Sequence, residues 1–354
     1  MSRERVVAYE NFRNQKKETM TKDSRRFIII ITDPSGFNVN SVVAEVAETL
    51  HLPPLTRSLV TGAGGQTEEF TEALSSYLAS VPPHGYIMSG IPNDKAETQA
   101  LINWAKKNGL EVHCMEWGAH GGSIVVGKEL EGGAIIHRLE VQSDYSSVMR
   151  EMFRKISSFA FEDPTLADDY YRFRDICKKL GIPHILVSGA CSYIYWGRRS
   201  LKDLDILVPS EEALQRVAKE VSQSVEHLVS DFADTKYLNF SAGVEVVSDL
   251  AILFKEDGAQ KRVEFSFKEL ESDSRRVRFL GEECTLMSPE ALVLFKFSMG
   301  RFGMDAWGHH KDDYEDANGV LVSQTVNLSS LEARAEKLGA KERILLGEKI
   351  LNLR

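Results

Sequence analysis

Asp203 and Asp205 stand two positions apart where an apolar segment, Leu204 to Val208, begins. Read as a strand, that segment puts both carboxylates on one side, because successive side chains alternate faces. Like charges held that close are costly unless a cation neutralises them. Carboxylate oxygens suit Mg²⁺, and Mg²⁺ is commonly held between one or two carboxylates and the phosphates of a triphosphate. Upstream, a second apolar segment, Ile185 to Val187, runs into Gly189-Ala190-Cys191-Ser192. Small residues where a strand gives way to a helix let backbone N–H groups approach a phosphate. The chemistry indicated is metal-assisted chemistry on a nucleoside triphosphate.

The order Gly189-Ala190-Cys191-Ser192, then Arg198-Arg199-Ser200-Leu201, then Asp203-Leu204-Asp205 resembles the DNA polymerase β-like nucleotidyltransferase superfamily. It is most similar to the minimal nucleotidyltransferases and their aminoglycoside-modifying relatives. Ala190 departs from the pattern, standing where the second glycine of the motif is expected. The resemblance implies a Mg²⁺-dependent enzyme that moves a nucleoside monophosphate from ATP or another nucleoside triphosphate to an acceptor hydroxyl, releasing pyrophosphate. Asp203 and Asp205 would hold metal, Gly189 and Ser192 would contact the β- and γ-phosphates, and Arg199 would assist. The acceptor would be a small molecule, a protein hydroxyl or an RNA end.

The family takes a third carboxylate from a later strand. In Gly243-Val244-Glu245-Val246-Val247-Ser248-Asp249 the expected acid falls on Val247, which cannot serve. Glu245 and Asp249 lie two residues to either side, on the same face of a strand, and either can reach the metal; Asp249 ends the strand, where a rim position is natural. Pro289-Glu290-Ala291 leading to Lys296, and Lys311-Asp312 further on, also recur in the family. They imply that Lys296 and Lys311 neutralise triphosphate charge. His309, His310, Asp312 and Asp313 suit zinc by ligand type, but no complementary Cys or His pair accompanies them.

These residues need elements to position them. A helix is expected over Leu166–Leu180, stopped by Gly181 with Pro183 beyond. The strand into the Gly189 turn follows, then a helix around Ser192 to Trp196, the Asp203/Asp205 strand, and an amphipathic helix over Glu211–Ser224. Lys236–Phe240 and Val244–Phe254 read as strands of a mixed sheet. Ser288 caps a helix that opens with Pro289 and Glu290, and the chain closes with helices over Ser329–Leu338 and Lys341–Leu351.

The N-terminal half alternates strands and helices, which implies a parallel sheet flanked by helices. Phe27 to Thr32 is a continuous apolar run, as in a buried parallel strand. Asp33 to Ser41 then leads to a helical pattern over Val42–Leu50, the order of a phosphate-binding P-loop. The loop lacks the required residues: Asp33 and Asn38 replace glycines, and no lysine precedes Ser41. His84 to Asp94, followed by Glu97-Thr98-Gln99-Ala100-Leu101, resembles an adenylate kinase segment, with Ser89, Ile91 and Asn93 in place of that family's aspartate, phenylalanine and arginine. Strands over Leu110–Trp117 and Ala134–Val141 and a helix over about Asp144–Ser158 complete the domain. Glycine clusters at 61–65 and 118–122 read as surface turns.

The fold expected is therefore α/β. A polar arm (1–24) precedes an N-terminal parallel-sheet, adenylate kinase-like P-loop domain (25–160) with its phosphate-handling residues replaced. A C-terminal α+β nucleotidyltransferase domain with a helical tail (165–354) follows. The chain has 354 residues, 43% of them apolar and 27% charged, enough for two ordinary domains. A net charge of −9 argues against indiscriminate nucleic-acid binding and disfavours an RNA acceptor. The four cysteines show no metal-ligand spacing and read as reduced thiols of a cytoplasmic protein. No apolar run reaches membrane-spanning length, so no membrane partner is expected. Two rival readings stand beside the transferase. One is a catalytically inactive nucleotide-binding regulatory protein, motivated by Val247 and the eroded P-loop. The other is a nucleoside-phosphate kinase, which requires a lysine that the loop lacks.

Overall fold

The computed structural model describes residues 27–31, 39–55, 73, 86–89, 95–117, 133–139, 144–197, 201–229, 234–256, 259–304 and 310–351. The chain divides into two compact units, 23–160 with 280–282, and 161–279 with 283–354.

In the N-terminal unit five strands form one parallel sheet: β1 (Phe27–Ile31), β2 (Pro54–Leu55), β3 (Tyr86–Ser89), β4 (Glu111–Trp117) and β5 (Ile135–Leu139), in the order β2-β3-β1-β4-β5. Every residue of β1 is buried, as a central parallel strand requires. Helices α1 (Val39–Leu50), α2 (Lys95–Lys107) and α3 (Tyr145–Ala160) alternate with the strands. Ile28, Ile30, Met88, Leu101, Ile102 and Val112 share one core. Residues 33–38 of the loop after β1, the segment 90–94 and both glycine clusters lie outside the described residues.

An imidazole pair, His113 buried and His137 half-buried, joins β4 to β5. His113 Nδ1 lies 2.9 Å from His137 Nε2, and His113 Nε2 lies 3.4 Å from Glu111 Oε2. Phe159 of α3 stacks on the His113 ring, centroids 3.6 Å apart. Burial holds both imidazoles below their ordinary range; His137, also repelled by His113 and Lys155, falls to about 4.

The C-terminal unit is built on a seven-stranded mixed sheet. Its strands are β6 (Ile185–Val187), β7 (Leu204–Leu207), β8 (Glu226–Val229), β9 (Asp234–Ser241), β10 (Val244–Val247), β13 (Arg275–Phe279) and β14 (Glu282–Leu286). The spatial order is β13-β14-β6-β7-β10-β9-β8. Between β10 and β13 the chain forms a separate antiparallel pair, β11 (Leu250–Glu256) with β12 (Ala259–Phe265). Helices α4 (Leu166–Leu180) and α6 (Glu211–Glu220) pack on the sheet, where Phe173 of α4 meets Phe240 edge-to-face at 5.6 Å. Leu204, Ile206, Val244, Val246 and Leu238 are buried on that same face. Asp205, Glu245 and Asn239, one residue out of phase, project from the other.

α5 (Ser188–Trp196), α7 (Phe267–Ser272), α8 (Pro289–Met299), α9 (Asp313–Ser323), α10 (Leu328–Lys337) and α11 (Lys341–Leu351) complete the unit, with a short antiparallel pair, β15 (Phe302–Met304) and β16 (His310–Asp312), between α8 and α9. α9 lies close against α5: a Cβ added at Gly319 would fall 2.1 Å from Trp196 Cδ2, and Ser323 Oγ donates to the Tyr195 carbonyl at 2.9 Å. All four cysteines are free and buried, and burial pushes the Cys114 and Cys177 thiols up to about 12. Among the described residues no helix is long and apolar enough to cross a membrane.

Two local expectations are corrected. The strand anticipated over Val244–Phe254 breaks at Ser248-Asp249, where Thr235 Oγ1 donates to the Asp249 carbonyl at 2.8 Å and the ladder ends. The helix expected around Ser192 begins at Ser188, so the small residues form its first turn. Lys311 lies on β16, and the helix after it starts at Asp313.

The imidazoles give a pH dependence with a definite sign. His113, His137 and His184 are depressed by burial, His184 to about 4 with a push from Arg174. Their contribution to stability is fully present above the unfolded value of 6.5 and is lost as pH falls toward about 4. Urea titrations at neutral and at mildly acidic pH should show falling stability, and His137→Phe should flatten the slope; equal stability throughout would contradict this account.

Candidate functional site

β6 and β7 are antiparallel, with Val187 opposite Asp205. The chain leaves β6 through Ser188, whose φ of +53° lies in the left-handed region that favours glycine. It turns directly into α5, and the Gly189 N–H points at Asp205 Oδ2, 3.4 Å away. The carboxylate thus sits at the positive end of a helix. The position whose backbone calls for a second glycine is Ser188, before Gly189, and not Ala190 after it.

Asp205 is half-buried within β7, and Asp203 stands just ahead of that strand, also half-buried. β10 runs parallel to β7, pairing Glu245 with Asp205. Residues paired this way share a face, on strands about 4.8 Å apart. Glu245 and Asp205 are the half-buried members of otherwise buried strands. Asp249 is four residues further along, roughly 13 Å at strand rise, and two residues beyond the end of β10. Its Oδ1 is buried without a hydrogen-bond partner among the described residues. The register brings Glu245 to Asp205 and does not bring Asp249.

Ser192 is fully buried, and its hydroxyl donates back to the Ser188 carbonyl at 3.3 Å. Lys296 is the charged residue of α8, where every other residue but Glu290 is buried and uncharged. Only 1% of its side chain is exposed, with Asp313 Oδ1 at 3.1 Å and Asp316 Oδ2 at 2.7 Å. Asp313 also accepts from the Arg301 backbone N–H and Nε, both at 2.9 Å, and from Nη2 at 3.3 Å. Burial alone would raise the Asp313 carboxyl, but the Lys296 and Arg301 charges hold it well below the usual carboxylate range. Burial works against the Arg301 charge, and Asp313 first, then Asp205 and Asp316, more than restore it. Arg199 and the Lys311 side chain lie outside the described residues. Asp312, one of the zinc-type residues, caps α9 by accepting from Glu315 N at 2.9 Å.

Arg301 and Asp316 were not expected here, and Asp313 was weighed only as a zinc-type ligand. Their signal is the single lysine inside the apolar run Ala291–Met299, which demands a buried counter-charge, followed by acids at 313 and 316 spaced to share one helix face.

No family model matches the chain, and no curated protein matches it. Among solved structures, the antibiotic-resistance factor ANT(2'')-Ia is 13% identical, covering 50% of this chain and 93% of its own, with a TM-score of 0.33. The lincosamide antibiotic adenylyltransferase LnuA, with lincomycin bound, is 14% identical, covering 44% of this chain and 97% of its own at 0.29. The Thermotoga maritima CCA-adding enzyme, in complex with tRNA, is 11% identical, covering 51% and 52% at 0.21. Scores this low do not fix a shared topology, and the reading of the site rests on its own residues.

Two stability effects follow from this geometry. Ser188→Gly removes a left-handed strain and should stabilise the protein by about 1 kcal/mol, seen as a higher Tm; an unchanged or lower Tm would contradict the strain. Lys296→Ala leaves Asp313 and Asp316 without their shared cation and should cost about 3–5 kcal/mol in denaturant titrations.

Proposed function

We propose that the C-terminal unit (about 165–354) is a Mg²⁺-dependent nucleotidyltransferase acting on ATP or another nucleoside triphosphate. The observation that carries this is the in-register pairing of Glu245 with Asp205, beside the Gly189 amide at the start of α5. Among the described residues no three ligating side chains form a ready-made metal cage. Mg²⁺ takes one or two carboxylates and completes its shell with water and substrate phosphate. Asp203 and Asp205 would hold it, with Glu245 rather than Asp249 as the third carboxylate. When bound, the ion supplies charge neutralisation at the attacking and leaving oxygens.

The chain's own groups do the remainder. The first turn of α5 presents N–H groups and a positive helix end to the phosphates. Glu245 would accept the proton of the acceptor hydroxyl. The acceptor oxygen bonds to the α-phosphorus, the α–β phosphoanhydride bond breaks, and pyrophosphate leaves with its electron pair. The acceptor belongs to the class of small molecules, protein hydroxyls or RNA ends. The N-terminal unit (about 25–160) is read as an adenylate kinase-like domain that has lost phosphoryl transfer.

Incubation with each α-³²P-labelled nucleoside triphosphate and Mg²⁺ should release pyrophosphate. Asp205→Asn and Glu245→Gln should each lower the rate by about a hundredfold or more, while Asp249→Asn stays within a few-fold. Mg²⁺-dependent nucleotide binding without release, across acceptors of all three classes, would favour the regulatory protein instead. Phosphoryl transfer from ATP to a nucleoside monophosphate would favour the kinase.

A further inference from the structure

We propose that Arg301 is the fixed cation that orients the β- and γ-phosphates of the bound triphosphate, and that Lys296 anchors the carboxylate holding Arg301 rather than touching nucleotide. The inference rests on the transferase reading of the site.

Lys296 is enclosed, and both carboxylates in reach of its ammonium are nearly as buried as it is. Turning it toward a phosphate would strand two buried negative charges. Arg301 stands otherwise, with 30% of its side chain exposed. α8 stops at Gly300, φ +53°, whose N–H bonds the Lys296 carbonyl at 2.8 Å. The chain thereby turns back, so that the Arg301 backbone N–H meets Asp313 and the Asp313 N–H returns to the Arg301 carbonyl at 2.9 Å. Position 301 is held from both sides.

Asp313 takes the Nε and Nη2 side of the guanidinium in a two-point grip. Among the described residues Nη1 meets no hydrogen-bond partner, and a planar fork gripped on one edge has its other edge aimed. Asp313 opens α9, which packs along α5, the helix whose Gly189 N–H faces Asp205; the charge of Asp205 is among those that favour the charged guanidinium. Three carboxylates and a triphosphate carry more negative charge than one divalent ion offsets, so a fixed cation at that point has a definite task. Two further N–H groups in a plane match two phosphate oxygens.

The test compares Arg301→Gln and Arg301→Lys with the wild type. Calorimetry measures Mg²⁺-dependent binding of the nucleoside triphosphate and of its monophosphate, and steady-state pyrophosphate release gives KM and kcat. Expected are a rise of about tenfold or more in KM and Kd for the triphosphate in Arg301→Gln, partial rescue by Arg301→Lys, and monophosphate binding little changed. Unchanged triphosphate affinity, or equal loss for triphosphate and monophosphate, overturns the inference; the second pattern marks a merely structural arginine. If the wild type binds triphosphate without releasing pyrophosphate, and Arg301→Gln still weakens triphosphate selectively, the transferase reading fails while the role of Arg301 stands. No triphosphate binding by the wild type overturns both.

Discussion

An ammonium group with 1% of its side chain exposed must be met by anions, and in the C-terminal unit that requirement sets how two helices lie. Lys296 is surrounded by Leu292, Val293, Phe295, Phe297 and Met299, so its compensation has to come from another element. Asp313 and Asp316, three residues apart, offer both carboxylates from one side of α9. Satisfying Lys296 therefore fixes the rotation of α9 against α8. Asp313 has oxygen lone pairs left over, and Arg301 takes them. A surplus of acceptor capacity at the core passes outward as a guanidinium with one edge held.

The acidic site depends on a second constraint, carried by the backbone. Hydrogen bonds from Leu204 N to the Gly243 carbonyl and from Val208 N to the Val247 carbonyl lock β7 to β10. In that register Glu245 has one place to be, next to Asp205. On the other side β6 sets Val187 against Asp205, and the left-handed Ser188 swings α5 so that its first N–H groups face the carboxylate. A sheet ladder and one turn residue thus bring together groups separated by more than fifty positions in the chain.

Much of this was legible in the sequence because its signals are contiguous. The β1 apolar run, the small-residue entry into α5 and the Asp203/Asp205 pair each sit within a few residues. Which of Glu245 and Asp249 lies beside Asp205 was not, since the two obey the same alternation along one strand. Only pairing with a distant strand, and the break at Ser248, separates them. Lys296 shows the opposite case, a residue whose burial the local sequence already carries. The apolar helix around it already implied burial, whereas the family pattern suggested a phosphate ligand. The second-glycine position misled for a simpler reason: Ser188 and Ala190 are both small, and which one takes a positive φ depends on how the chain turns in space.

Gly319 has a wider consequence. Its missing side chain lets the Trp196 ring lie where a methyl group would stand. Helix α9 is a rigid rod, and Asp313 and Asp316 ride on it less than two turns away. A methyl at 319 would act as a wedge at one end of a lever, prising the rod from α5 and dragging both carboxylates off Lys296. So inert a change would leave every charged residue in the sequence and look, to a survey of those residues alone, like a silent variant.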